Sequence, residues 1–252
     1  PPDINFRGQR ADATTRFSSR VRAYQSTRPA YPSPLLDWIH ANFGLCRGQV
    51  VADVGAGTGI FTLQLLGFEA SVVAVEPNAP MRGALEARTA VEQRGGTLRV
   101  CDGAAEGTGL MDASVDGVVA AQAFHWFDPV AFAAECRRIL RPGGWAAMVW
   151  NNRRSTGTPF ARAYEGFIKR WEVDYARVGA SYANLDDLGR LFESVPEPQR
   201  FEHAQTLDRG GLLGRLQSSS YMPGATHPDF GSMCDAAGQL FEAHAQSGRV
   251  EL

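Results

Sequence analysis

The stretch Gln49 to Phe61, QVVADVGAGTGIF, constrains this chain more than any other, because an apolar run ending in Asp53 passes straight into alternating glycines. Gly55, Gly57 and Gly59 have no Cβ, so the backbone can turn sharply and a ligand can lie against it. The run before the glycines reads as a buried strand, and Ile60, Phe61, Leu63, Leu65 and Leu66 after them read as a helix packing back on it. A strand, a glycine turn and a helix N-terminus together make a nucleotide-type site. A P-loop needs Lys after its last glycine, and Ile60 stands there instead. The dinucleotide fingerprint fails at the same position, so a nicotinamide dehydrogenase requires Ile60 to be a tolerated departure.

Four more β-rich runs follow: Ala70 to Glu76, Thr97 to Cys101, Val115 to Ala121 and Trp145 to Trp150. Helical patterns separate them. Asn78 caps one helix with Met81, Ala84, Leu85 and Val91 at helical spacing, and Asp128 with Pro129 starts another carrying Phe132, Cys136, Ile139 and Leu140. The turn Arg141-Pro142-Gly143-Gly144 is expected to close that helix. This alternation implies an α/β fold: a doubly wound, mostly parallel sheet with right-handed crossovers and helices on both faces. Such sheets bind ligands at the carboxyl ends of their strands, here Asp53 to Gly57, Glu76, Asp102, Gln122 and Trp150 to Asn151.

Two helices precede the first strand, one from about residue 13 to 25 and one begun by Ser33 and Pro34 and ended by Gly44. After Asn152 the pattern weakens. Helices are expected around Phe160 to Trp171, Leu185 to Phe192, Leu212 to Leu216 and residues 229 to 244, with strands at Arg200 to Leu207 and in the closing RVEL. The chain therefore reads as an N-terminal helical cover (1–45), an α/β core (46–152) and C-terminal helices and strands (153–252) that complete the same domain.

At 252 residues and 44% hydrophobic content the chain can bury a sizeable core, and its net charge of -2 gives no global attraction to nucleic acid or anionic membrane. The N-terminal arginines, among them Arg20, Arg22 and Arg28, read as a solvated helix face, because no aromatic residues interleave with them as a stacking platform needs. Cys46, Cys101, Cys136 and Cys234 lie far apart and form no C-x-x-C pair, which argues against a metal site and a disulfide framework. They read as small core residues in a reducing compartment. No apolar run is long enough to span a bilayer, so a cytoplasmic location is expected.

Glu76 ends the second strand, where a carboxylate can accept two hydrogen bonds from a ribose diol. In Asp102-Gly103-Ala104-Ala105, small residues let backbone groups reach an adenine edge, and Asp102 can accept from an amino group. Met81, one turn into the following helix, can pack on the ring or simply fill the core.

DVGAGTG, the strand-end VEP of Val75 to Pro77, the GAAEGTGLMDASVD loop and AQAFHWFD resemble the successive motifs of class I S-adenosylmethionine-dependent methyltransferases. The likeness is to the small-molecule type that includes trans-aconitate methyltransferases. Tyr24 to Pro32 and Ser220-Tyr221-Met222 match the same group. The resemblance implies a seven-stranded sheet whose last strand is antiparallel, and S-adenosylmethionine as cofactor. It implies that Gly55, Ala56, Gly57 and Gly59 pass under the methionine part while Asp53 places its amino group. Glu76 and Pro77 would hold the ribose, Asp102 to Ala105 the adenine, and Gln122, Phe124 and His125 would flank the sulfonium. Many relatives carry Asp or Thr where this chain has Ala104, which leaves Asp102 or the backbone for the adenine.

Methyl transfer is an in-line displacement at an activated carbon, so positioning is the main contribution. A carboxylate acceptor needs no base. A phenol, amine or carbon acid can need one, and His125 is the candidate, beside the alternative of a structural histidine near the Asp128 helix. Tyr24, Tyr31, Trp126, Asn151, Arg153 and Tyr221 are the candidate acceptor-binding residues, with Arg153 able to clamp a carboxylate and Arg28 able to serve cofactor or substrate. The expected partner is a small-molecule acceptor, a carboxylic acid first. A nucleic-acid methyltransferase and a non-catalytic cofactor-binding protein are the alternatives.

Overall fold

The computed structural model of the protein describes residues 17–92, 95–173, 188–191 and 197–252. Their fold follows from the period of the apolar residues. Helix α1 (Val21–Thr27) and helix α2 (Ser33–Phe43) precede strand β1 (Val50–Val54), and α2 stops at Gly44, whose left-handed backbone returns its N–H to the His40 carbonyl. Then come α3 (Ile60–Leu66), β2 (Ser71–Val75), α4 (Ala79–Val91), β3 (Thr97–Cys101), β4 (Val115–Ala121), α5 (Pro129–Ile139) and β5 (Leu140–Val149). Asn78 caps α4 through Met81 N–H, and Asp128 caps α5 through Val130 and Ala131 N–H, as the residue types anticipate.

Strands β1 to β5 form one parallel sheet in the order β3-β2-β1-β4-β5. Side chains of adjacent residues leave a strand on opposite faces, so both faces of these apolar runs must be covered. Ala52, Val54, Val73, Val75, Val118 and Ala120 pack with Phe132, Cys136 and Ile139 of α5. Val51, Val72 and Val119 pack on the other side with Leu36 and Ile39 of α2 and Phe61, Leu63 and Leu65 of α3.

Strand β5 begins earlier than expected. Leu140 already pairs with Val115, and the Arg141-Pro142-Gly143-Gly144 segment is a bulge before Trp145 pairs with Gly117, not a turn outside the sheet. The Arg141–Asp116 ion pair, 2.7 Å, ties that bulge to β4.

The remaining elements are α6 (Pro159–Trp171), α7 (Leu188–Leu191), β6 (Thr206–Leu207), α8 (Arg209–Gln217), α9 (Phe230–His244) and β7 (Val250–Glu251). The seven-stranded sheet is not what these residues build: β6 and β7 pair with each other, antiparallel, in a sheet of their own. The expected strand over Arg200 to Leu207 shrinks to Thr206–Leu207, extended only by the two backbone hydrogen bonds Gln205 exchanges with Leu252, because residues 200–204 carry too little alternation to hold a ladder. The rest of the helix expected around Leu185 to Phe192, and residues 13–16 of the first expected helix, lie outside the described residues.

The described chain divides into two compact units. One contains the five-stranded sheet, with residues 17–18, 30–92, 95–151, 188–191 and 197–201; the other, helical, contains 19–29, 152–173 and 202–252. The two helices expected before the first strand are shared out, α1 with the helical unit and α2 with the sheet unit. In the helical unit, Phe160, Tyr164 and Ile168 of α6 pack with Leu212 and Leu216 of α8 and Met233 and Phe241 of α9. Arg20 donates to the carbonyls of Gln217, Ser219 and Met222, so it caps the C-terminal end of α8 and is not the solvated side chain its sequence suggests. Among the cysteines only Cys136 is fully buried; Cys46 sits exposed in the turn before β1, which corrects its reading as a core residue.

Glu135 on α5 is a buried carboxylate that accepts the N–H and hydroxyl of Thr108 and the guanidinium of Arg138. Arg138, and then Thr108, hold its carboxyl down to about 2 against the opposing effect of burial. A depressed folded value stabilises above the unfolded pKa and loses that contribution as pH falls toward 2. Glu135→Gln is therefore expected to cost about 2–3 kcal/mol at pH 7, and the deficit should shrink on acidification. Urea unfolding at pH 7 and pH 3 measures both.

Candidate functional site

In the strand order β3-β2-β1-β4-β5, connections leave β1 and β4 in opposite directions, which opens a crevice beyond their carboxyl ends. Gly55 follows β1 there with a φ of +72°, and a Cβ on it would lie 2.5 Å from Ala123 Cβ and 3.1 Å from Phe127 Cζ. Only glycine lets the two loops approach so closely in that backbone conformation.

The glycine turn is held from β2. Gly55 and Ala56 N–H both donate to the Val75 carbonyl, and Gly57 N–H donates to Glu76 Oε2 at 2.9 Å. Asn78 N–H donates to Glu76 Oε1, also at 2.9 Å. Each carboxylate oxygen of Glu76 thus has one backbone donor and keeps a second lone pair. Burial raises its pKa, with the Asn78 and Gly57 N–H groups opposing.

Asp53, at 1% exposure, lies under the same turn. Its Oδ2 accepts the Thr62 hydroxyl at 2.6 Å, whereas its Oδ1 is buried with no hydrogen-bond partner among the described residues. Burial pushes this carboxyl up to about 7, with Thr62 opposing and Glu76 adding to the rise. A buried oxygen of that kind is costly unless a ligand supplies the donor, and an ammonium group would both pair with it and restore its charge.

Asp102, expected at an adenine edge, turns its carboxylate to Arg82, which binds it through two hydrogen bonds of 3.0 and 2.9 Å and donates also to the Glu76 carbonyl. Gly103 passes so close to the Thr108 carbonyl that a Cβ would sit 2.7 Å from it, and Ala104 and Gly107 exchange backbone hydrogen bonds. Ala105 and Met81 are both buried, and Pro77 lies between Glu76 and the Asn78 cap.

Across the crevice, Gln122 adopts a left-handed φ of +57°, uncommon for a residue with a side chain. Its N–H donates to Val149 and its Nε2 to the Asn151 carbonyl, which hold the strained residue in place. Phe124, His125 and Trp126 form a single 3₁₀ turn after it, with Phe124 and His125 buried. The His125 ring lies 4.9 Å from that of Trp126, and Trp126 also meets Phe17 edge-on. Residues 52–148 match the family model described as a methyltransferase domain.

The matched residues, 52–148, are a methyltransferase domain, and their parallel sheet has the class I methyltransferase fold. An uncharacterised methyltransferase of Mycobacterium tuberculosis is 42% identical over 57% of this chain and 55% of its own length. An uncharacterised methyltransferase-like protein of Schizosaccharomyces pombe is 32% identical over 63% of this chain and 59% of its own length. The chain thus matches little more than half the length of these curated relatives. Among solved structures, a candidate type II methyltransferase from Anaeromyxobacter dehalogenans superposes with a TM-score of 0.61 at 27% identity, over 89% of this chain and 94% of that one.

The methyltransferase domain brings together Asp53, the glycine turn, Glu76 and Gln122 with Phe124, all from strand ends. Tyr31 belongs to the interior of the sheet unit, packed edge-on against Phe61 and exchanging two hydrogen bonds with the Gln64 side chain. Tyr24, Arg28, Arg153 and Tyr221 belong to the helical unit. There Arg28 stacks on Tyr24 and donates to Ser218, while Arg153 pairs with Glu165 and lies over the Tyr164 ring.

Residue reasoning missed Thr62, Arg82 and Arg215. Thr62 is signalled only by a hydroxyl on the sheet-facing side of α3, and Arg82 by its place one turn after Glu76. No local pattern marks Arg215. Among the described residues no helix is long and apolar enough to cross a membrane, and no group of three or more His, Cys, Asp or Glu is placed to hold a metal.

Proposed function

We propose that the protein transfers the methyl group of S-adenosylmethionine to a small molecule, with a carboxylic acid as acceptor. The observation that carries the cofactor part is the unpartnered, buried Oδ1 of Asp53 beneath a glycine turn braced by Glu76. Asp53 would receive the amino group of the methionine moiety, directly or through water. Glu76 would use the remaining lone pair on each oxygen for the ribose diol. The backbone of Gly103 to Ala105 would meet the adenine, since Arg82 occupies the Asp102 carboxylate. Met81 would pack beside the ring, and Gln122, Phe124 and His125 would stand at the sulfonium.

The cofactor supplies a methyl group on a cationic sulfur. The protein's part is to hold the acceptor oxygen in line with it and to exclude water. A carboxylate arrives deprotonated at neutral pH and needs no general base, so His125 would act by shape.

Calorimetry with S-adenosylhomocysteine is expected to give a Kd in the micromolar range, on the order of −8 kcal/mol, and methyl-labelled cofactor should pass its label to an organic acid. No binding of the demethylated cofactor would remove the enzymatic reading. Tight binding with no turnover on a broad acceptor panel would favour a non-catalytic cofactor-binding role. Steeply salt-dependent RNA or DNA binding would favour a nucleic-acid substrate.

A further inference from the structure

The sequence leaves Arg215 unremarked, yet its charge is unusually placed among the described residues of the helical unit. It lies near the C-terminal end of α8. The residue keeps part of its surface, but Nε and Nη1 are buried with no hydrogen-bond partner among the described residues. Its neighbours make this harder to tolerate. Among the described residues the groups that act on it most are Arg28, Tyr164, Tyr221 and Arg153, two guanidinium groups and two phenols. Burial first, then Arg28, pushes Arg215 down to about 10, an unusual displacement for a guanidinium.

The other two arginines are differently placed. Arg153 is paired with Glu165, and Arg28 spends its Nε and Nη2 on Ser218. The nearby hydroxyls of Ser218 and Ser219 donate to the Arg215 carbonyl. They therefore fix the backbone that carries the guanidinium and leave the head itself unsupported. Tyr221 responds to the same cations: burial would raise its phenol, but Arg153, Ser219, Arg28 and Arg215 together hold it below its usual range. A planar guanidinium with unused donors on Nε and Nη1, acted on by two further cations and two phenols, suits an oxyanion such as a carboxylate.

We infer that Arg215, with Arg28 and Arg153 around it and Tyr164 and Tyr221 beside it, forms an anion site in the helical unit that binds the carboxylate of a small organic acid. The site stands on the helical unit alone; that the acid it binds belongs to the acceptor's class rests on the reading of the protein as a carboxylic-acid methyltransferase. It also moves the expected carboxylate clamp from Arg153, which Glu165 engages, to Arg215.

The test is thermal unfolding of the full chain without cofactor, titrated with glutarate and separately with inorganic phosphate, for the wild type, Arg215→Met and Arg215→Lys. Glutarate should raise the wild-type melting temperature saturably, and phosphate should do so less. Arg215→Met removes an uncompensated buried charge while keeping the volume, so the free variant should melt about 2–4 °C higher than wild type. Its response to glutarate should vanish. Arg215→Lys, which keeps the charge but not the fork, should weaken the glutarate response about tenfold or more.

The inference fails if wild type shows no saturable response to glutarate, if Arg215→Met melts lower and responds as wild type does, or if phosphate stabilises as strongly as glutarate. Should Arg215→Met not fold, the lysine variant decides alone, an unchanged response overturning the site. Because no cofactor is present, these failures are separate from failure of S-adenosylhomocysteine binding.

Discussion

Asp53→Asn is expected to make the free protein more stable at pH 8 and to remove most of its affinity for S-adenosylmethionine. The Asp53 carboxyl is pushed up to about 7 in the folded protein from an ordinary value of 3.8, chiefly by burial. A raised folded value stabilises below the unfolded pKa and loses that contribution as pH rises through the folded one. The wild type should therefore lose stability between about pH 4 and pH 7, by an amount on the order of 4 kcal/mol from a shift of about three units. Asparagine carries no proton to lose, so the asparagine variant should lack this part of the slope. Its stability advantage should grow up to pH 7 and then level off.

Cofactor binding should follow the complementary course. An ammonium group beside Oδ1 favours the charged carboxylate, so affinity should rise between about pH 5.5 and 7, and binding at pH 6 should release a proton. In Asp53→Asn both effects should disappear, with an affinity loss on the order of a hundredfold. Calorimetry in buffers of different ionisation enthalpy counts the protons. A wild type that takes up protons on binding, or an asparagine variant with unchanged affinity, would show that the amino group is held elsewhere.

The second large effect concerns the glycine turn, where Gly55 and Gly57, two positions apart, should fail for different reasons. Gly55→Ala places a methyl group 2.5 Å from Ala123 Cβ in a left-handed backbone at φ +72°. Strain and overpacking add, and the cost should be about 2–5 kcal/mol. Gly57 is also left-handed, at φ +57°, but a Cβ there meets nothing within 4 Å. Gly57→Ala should cost only about 1–2 kcal/mol while losing cofactor affinity at least as severely, since the open space is the surface proposed to receive the methionine moiety. Urea midpoints paired with S-adenosylhomocysteine titrations separate the two. Equal stability losses, or a Gly57→Ala protein that binds normally, would count against this assignment.

These residues also mark how far the sequence could be read. The continuous apolar runs over Val50–Val54 and Ser71–Val75, the caps at Asn78 and Asp128, and the glycine spacing are local signals, and each produced the element anticipated from it. Local signals also placed Asp53 and Glu76 at strand ends, because strand direction and the carboxyl-end rule follow from βαβ connectivity.

What the sequence by itself determined is the sheet, its strand ends and the glycine turn, all set by residues a few positions apart. Only the tertiary structure decided that Thr62 takes one oxygen of Asp53 and leaves the other buried and unmet. It alone assigned Asp102 to Arg82, Arg153 to Glu165 and Arg20 to the end of α8, and paired the short final strands with each other. It also buried Nε and Nη1 of Arg215 with no partner among the described residues. Charge pairing and desolvation depend on which groups meet across the fold, and a sequence pattern carries the spacing of residues along the chain but not that distance.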